Sequence, residues 1–270
     1  MNKFIKTETY NLKKLKEAIG RIFRCLFGSK RATILTSSIL IIAVLFSACA
    51  IFLSVYYHSD EEAILDFNDG DGTRVVELYD GATLYGKEDA EIGLIFYPGG
   101  KVEHTAYDPL MRTLASYGIS SVLVEMPFNL AFFGADAAGG IMEMLPEIDR
   151  WYIGGHSLGG SMAASYLASH TDGIEGLVLL GAYSIDDISE SGKRVISIYG
   201  TEDGVLNRDK YADCKGNLPE DYNESEIIGG NHAYFGMYGE QDGDGTAYIT
   251  NEEQIRITAS LISDFIKEAE

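Results

Sequence analysis

Residues 155–159 read Gly-His-Ser-Leu-Gly, and few local folds tolerate that spacing in the setting this chain provides. Upstream, Arg150-Trp-Tyr-Ile is a short apolar run of strand character. Downstream, residues 161–170 carry helix-forming small and apolar side chains. A strand, a glycine-flanked serine and a helix together define a sharp turn that lifts the serine hydroxyl clear of a sheet. The glycines are needed because a Cβ would crowd the neighbouring strand and helix. The N–H groups that open the helix lie where developing negative charge can be stabilised. The alternative for Ser157 is an idle side chain in an ordinary tight turn.

The rest of the chain alternates in the same way. Residues 74–79 and 82–85 flank Asp80-Gly81, a hairpin signal. Residues 91–97 form a nearly continuous apolar run, as expected of a central strand in a parallel sheet. Further strands are expected at 121–126, 150–153, 176–181, 194–199 and 225–229. Helices are expected from Asp108-Pro109 to Gly118, within 129–145, after Ser157, and from the capping box Thr250-Asn-Glu-Glu253 onward. The pattern predicts an α/β fold: a doubly wound, mostly parallel, eight-stranded sheet opened by an antiparallel hairpin. Ligands in such sheets bind at the carboxyl ends of the strands.

The N-terminal region is of another kind. Between Ala32 and Tyr57 there is no charged residue, and 26 helical residues would span about 39 Å, enough to cross a bilayer with some tilt. Residues 1–57 hold nine Lys and Arg against two acidic residues, a net of +7; the remainder nets −27. Residues 12–27 place apolar side chains at helical spacing between basic ones, which suits a helix lying on an anionic membrane face. The expected layout is a basic cytoplasmic segment (1–31), a transmembrane helix (32–57), an acidic, glycine-rich linker (58–73) and a catalytic domain outside the membrane (74–270). A cleaved signal sequence is the competitor, as is a lipidation signal around Leu45-Phe-Ser-Ala-Cys49. An acidic domain of this strength repels nucleic acid. The cysteines, at 25, 49 and 214, form no disulfide or zinc pattern.

A serine becomes a nucleophile when a base takes its proton, and the base needs an orienting carboxylate. In a sheet of this order the partners follow as acid and then histidine. Of the two histidines beyond Ser157, His170 closes the helix that carries the serine, which leaves His232, just after the last strand. Asp203, in Gly200-Thr-Glu-Asp-Gly204, follows the preceding strand and is better placed than Glu202. Oxyanion donors are expected from the N–H of Leu158 and from the Pro98-Gly-Gly-Lys101 loop, with Gly100 preferred and Lys101 next to it. Asp66–Gly72 and Gly243-Asp-Gly245 only partly match a calcium loop and are taken as turns. Phe128, Phe132, Tyr183 and Tyr234 are guesses at pocket walls.

These segments, Phe96-Tyr-Pro-Gly-Gly-Lys-Val102, Gly154–Gly160, Gly200–Asp203 and Gly230-Asn-His232 with Tyr238-Gly239, resemble the α/β-hydrolase superfamily. They are more narrowly similar to small, often membrane-anchored bacterial hydrolases grouped with dienelactone hydrolases. The resemblance covers about residues 74–270 and implies a Ser157–Asp203–His232 triad. It implies cleavage of a small acyl substrate, a carboxylic ester first, through an acyl-enzyme, with no metal or organic cofactor. Dienelactone hydrolases proper carry cysteine where this chain has Ser157. The short connection between Gly181 and Arg194 leaves no room for the lid found there in many lipases. A peptidase or acyltransferase with the same triad, a non-catalytic binding domain, and a membrane-surface scaffold are the alternatives.

Overall fold

The computed structural model describes residues 14, 16–22, 26–68 and 72–268. The chain divides into two compact units, one ending at Val55 and one from Tyr56 onward. In the first, residues 16–22 are helical, and residues 12, 13, 15 and 23–25 of the expected amphipathic stretch lie outside the described residues. Helix α1 (Lys30–Ser54) begins at Ser29, whose side chain accepts the Ala32 N–H. Its mean hydropathy of 2.5 over an 18-residue window makes it long and apolar enough to cross a membrane, and none of its side chains is buried.

The second unit is an eight-stranded sheet ordered β1-β2-β4-β3-β5-β6-β7-β8. Its strands are β1 (Val75–Glu77), β2 (Ala82–Tyr85), β3 (Ile92–Tyr97), β4 (Ser120–Val124), β5 (Arg150–His156), β6 (Ile174–Leu180), β7 (Arg194–Gly200) and β8 (Asn223–Ile227). β1 and β2 form the antiparallel hairpin, and β2 runs antiparallel to β4; every later pair is parallel. The hairpin turn is longer than the two residues expected. Leu78 N–H bonds the Ala82 carbonyl at 2.8 Å, and Gly81 closes the three-residue loop at φ 72°.

Helices cover both faces: α3 (Asp108–Ser116) and α7 (Asn251–Lys267) on one, α4 (Ala137–Met144) and α5 (Leu158–Ser169) on the other, and the short α6 (Arg208–Cys214) lies between β7 and β8 in the chain. The two-residue period of the strands divides the core between them. In β3, Leu94 and Phe96 face α3 and α7, while Ile95 and Tyr97 face α4 and α5. Both faces of β3 are therefore buried along its whole length, which explains its unbroken apolar sequence. The capping box forms as expected: Thr250 accepts the Glu253 N–H and Glu253 accepts the Thr250 N–H. The helix expected within 129–145 is shorter than its segment, because 3₁₀ turns at Pro127–Asn129 and Ala131–Phe133 occupy the start.

The helix expected to run to Tyr57 ends at Ser54, and residues 58–67 differ from the expected linker. Tyr57 bridges Val102 in parallel, with Tyr57 N–H to Lys101 carbonyl at 2.7 Å and Glu103 N–H to Tyr57 carbonyl at 2.9 Å. Helix α2 (Glu61–Phe67) is capped by Asp60, and Ala63, Ile64 and Phe67 pack on the core. These apolar positions share one helical face, so burial outweighs the acidic composition around them.

Candidate active site

Strand order reverses at β3, whose neighbours are β4 and β5, and the carboxyl ends of β3 and β5 sit side by side with Tyr97 paired to Gly155. The loop after β3 and the serine turn after β5 therefore meet at the switch point of the sheet. Ser157 caps α5 with φ 52° and ψ −121°, a left-handed backbone uncommon for a residue with a side chain. The turn is this tight because α5 lies directly against the end of β3. A Cβ on Gly155 would stand 2.5 Å from the Tyr97 carbonyl oxygen, and one on Gly159 would meet the Tyr97 and Pro98 carbonyls. Among the described residues, all four non-glycine residues with positive φ belong to this neighbourhood: Lys101, Phe128, Asn129 and Ser157. Such strain persists where surrounding contacts over-determine the backbone.

Asp203 and His232 come from the loops after β7 and β8. His232 Nδ1 lies 2.8 Å from Asp203 Oδ2, and both side chains are fully buried. The other Asp203 oxygen accepts the N–H groups of Val205 (3.0 Å) and Leu206 (2.7 Å), which fixes the carboxylate. Its Oδ2 is left for the imidazole, so the Nδ1–H tautomer is favoured and Nε2 becomes the basic atom. His232 Nε2 is buried without a hydrogen-bond partner among the described residues. Glu202 bonds Thr201 instead. Gly181 makes the pairing possible, since at its φ of 51° a Cβ would come within 2.9 Å of His232 Nδ1 and 3.1 Å of Asp203 Oδ2. His170 ends α5 and stacks on Tyr166.

A cavity of about 250 Å³ opens on Ser157 and His232. Leu158, Ala182, Tyr183, Val205 and Leu206 supply its apolar wall, with Ser161 and Asn207 as polar points. Of the four guessed wall residues, Tyr183 lines it. Phe128 and Phe132 stand exposed in a cluster with Phe133, and Tyr234 borders a separate polar recess.

The Gly99–Lys101 loop touches the serine turn, with the Cβ position of Gly100 2.9 Å from Leu158 Cδ2. Leu158 opens α5, where the first N–H groups have no intrahelical acceptor. No hydrogen bond engages the Gly100 N–H among the described residues. Lys101 is a correction. Its N–H donates to the Asn129 carbonyl at 2.6 Å and is engaged there, which removes it from the expected oxyanion donors.

Two groups behind the site escaped the sequence reading. Tyr107 is wholly buried; its hydroxyl accepts the Gly99 N–H at 3.1 Å and lies 2.7 Å from His156 Nδ1. His156, the variable residue of the serine motif, packs against His232 with ring centroids 4.3 Å apart. Burial, and then the neighbouring His232, hold its pKa well below the usual histidine value. It is a neutral imidazole beside the candidate base. Asp244, in the glycine-flanked turn, was a third omission. Its only sequence signal was the Gly-Asp-Gly turn itself.

A parallel sheet that delivers a strained serine at its switch point, opposite an aspartate–histidine pair from later strand ends, has the layout of α/β hydrolases. The comparisons agree. The model of the alpha/beta hydrolase family matches residues 93–256, and the chain belongs to that family. Solved structures with the same fold include a dienelactone hydrolase from Anabaena variabilis, at 14% identity and TM-score 0.53, covering 73% of this chain and 97% of that one. Est1E from Butyrivibrio proteoclasticus matches at 14% identity and TM-score 0.52, covering 73% and 99%. A monoacylglycerol lipase from Paleococcus ferrophilus matches at 14% and 0.52, covering 70% and 100%. No curated protein sequence matches the chain.

Proposed function

We propose that the protein is a serine hydrolase that cleaves carboxylic esters through an acyl-enzyme on Ser157. The observation that carries this reading is the strained Ser157 turn opening on the same cavity as the buried His232–Asp203 pair. His232 Nε2 takes the serine proton as the hydroxyl attacks the carbonyl, and returns it to the leaving alcohol. Asp203 holds the imidazole in the required tautomer and stabilises its cation. The N–H groups of Leu158 and Gly100 receive the oxyanion. Water, activated by the same imidazole, then releases the acid and restores Ser157. No step calls for a metal or organic cofactor.

The cavity is small and walled by apolar side chains, with no lysine or arginine among its lining residues. Together with the net −27 of residues 58–270, this favours a short, uncharged acyl group over an anionic one. That some structural neighbours are carboxylesterases and lipases agrees with ester chemistry. Helix α1 anchors the protein in the membrane. The basic residues before it keep the N-terminus cytoplasmic and place the hydrolase domain on the other side.

The test is labelling of the detergent-solubilised full chain with a fluorophosphonate probe, beside Ser157→Ala and His232→Ala. Labelling of the wild type that disappears in both variants is expected. A folded wild type that does not label would refute the reading. A panel of p-nitrophenyl esters should then show turnover falling as the acyl chain outgrows the cavity.

A further inference from the structure

We propose that Asp244 is a positioning residue that locks the acid loop and the base loop together, holding His232 at hydrogen-bond distance from Asp203; the inference rests on the serine-hydrolase reading. Its carboxylate accepts four main-chain N–H groups. Oδ1 receives Gly204 at 3.0 Å, His232 at 3.2 Å and Gly245 at 2.8 Å. Oδ2 receives Ala233 at 2.8 Å. Gly204 directly follows Asp203, and the other two distant donors are His232 itself and its successor. One side chain from a third loop thus ties down the backbone of both partners at their attachment points.

The contact is close throughout. A Cβ on Gly204 would lie 2.7 Å from the Gly243 carbonyl oxygen and 2.9 Å from the Gly245 nitrogen, so the two loops meet backbone to backbone. On its other side the base loop is held by α7: the buried Gln254 accepts the Asn231 N–H at 3.0 Å and donates to the Asn231 carbonyl at 2.7 Å. Asn231 in turn donates to the Gly245 carbonyl at 2.9 Å. Gln254 fixes where the base loop lies relative to the helix layer. Asp244 is the only side chain among the described residues that hydrogen-bonds the main chain of both loops. Of the side chains, an ionised carboxylate alone offers about four acceptor sites and no donor. An asparagine would aim N–H groups at N–H groups at one end of this cluster. The loops also meet upstream, where the Glu202 N–H bonds the Gly230 carbonyl at 2.9 Å and the Gly229 N–H bonds Thr201 Oγ1 at 2.8 Å. Loss of Asp244 frees the segments past those bonds, Asp203-Gly204 and His232-Ala233, and a displacement of about 1 Å there costs on the order of 100-fold in rate.

The full chain in detergent micelles would be compared as wild type, Asp244→Asn, Asp244→Glu and, as a control in the same loop, Asp242→Asn. Two quantities are read on folded protein. One is the low-field proton NMR resonance of the His232 Nδ1–H bonded to Asp203, which needs no turnover. The other is the second-order rate of fluorophosphonate labelling at Ser157. Asp244→Asn should broaden or shift the resonance and slow labelling about 10- to 100-fold. Asp244→Glu, which keeps the charge and the acceptors, should recover part of both, and Asp242→Asn should match the wild type. An Asp244→Asn protein that keeps the wild-type resonance and labels within twofold of the wild-type rate overturns the proposal. So does failure of both Asp244 variants to fold, which would make the residue structural only. A wild type that shows the resonance and does not label refutes the serine-hydrolase reading instead, and the resonance alone then decides on Asp244.

Discussion

Replacing Tyr107 with phenylalanine removes one oxygen atom from the molecule's interior and strands two polar groups. The Tyr107 ring is wholly buried and would stay in place against Phe96. The hydroxyl accepts the Gly99 N–H and pairs with His156 Nδ1, whose other ring nitrogen already has no partner among the described residues. No solvent reaches either group, so the cost is that of leaving both unsatisfied rather than the smaller net worth of the bonds. At about 1–3 kcal/mol for each group, the variant should lose about 2–6 kcal/mol of stability. That is a large part of the 5–15 kcal/mol, roughly, that holds a domain folded. Urea unfolding of the full chain, followed through the sole tryptophan, Trp151 in β5, would measure it. Tyr79→Phe, at an 85% exposed position, is the control and should change stability by less than about 0.5 kcal/mol. Ser157 labelling should slow as well, because Gly99 anchors the loop that carries the Gly100 N–H. A loss below about 1 kcal/mol would refute the reasoning, since it would mean that water or a rearranged loop satisfies both groups.

Asp203→Asn should leave the fold intact and lower ester turnover by about 10⁴-fold, because the amide favours the wrong imidazole tautomer; steady-state kinetics on a p-nitrophenyl ester would measure it. Thr250→Ala should cost about 1 kcal/mol through loss of the α7 cap and leave labelling unchanged, as read by denaturation and probe kinetics. His156 titrates well below its ordinary 6.5, so the unfolded chain binds a proton there before the folded one does. Its contribution to stability is complete above pH 6.5 and is lost as the pH falls from 6.5 toward its folded value. A His156→Leu variant should flatten that part of the pH profile of the urea midpoint, compared between pH 8 and pH 5.

What was legible in the sequence was local. The serine turn, the strand runs, the Thr250–Glu253 cap and the order of acid before histidine depend on residues a few positions apart, or on a rule about strand ends. They pointed to the fold and to Ser157 and His232, which line one cavity, and to Asp203, which bonds His232 from behind. What escaped depends on contacts between distant segments. Lys101 stood next to the preferred Gly100 as a donor until its N–H met the carbonyl of Asn129, a residue with positive φ in the turn after β4. Asp244 looked like any aspartate between glycines because three of its four partners lie 11 to 40 residues away. The segment from residue 58 to Phe67 was read by its acidity, although Ala63, Ile64 and Phe67 already marked a helical face. Of the four aromatic residues guessed for the pocket wall, Tyr183 lines it, beside Leu158, Ala182, Val205 and Leu206.

Gly181 provides the sharpest separation of chemistry from folding in this site. It follows β6, its N–H bonds the Ile198 carbonyl at 2.8 Å, and its backbone is left-handed. Alanine there keeps the N–H and pays the left-handed penalty, about 1–2 kcal/mol. The added methyl, however, would sit 2.9 Å from His232 Nδ1 and 3.1 Å from Asp203 Oδ2, a wedge beside the 2.8 Å hydrogen bond between them. Neither partner yields easily: Asp203 is held by the Val205 and Leu206 N–H groups, and His232 is held through its backbone by Asp244. Relief must come from rotating the imidazole or retracting the strand end. Either change moves Nε2 away from Ser157, for an expected loss of about 100-fold or more in turnover. The assay pairs ester kinetics with a melting curve. A Gly181→Ala protein that melts within a few degrees of the wild type and turns over ester a hundredfold more slowly fits the site as described. Equal activity would mean that the Asp203–His232 pair has slack that its buried packing does not suggest, and the reading of a pre-set acid–base pair would fail.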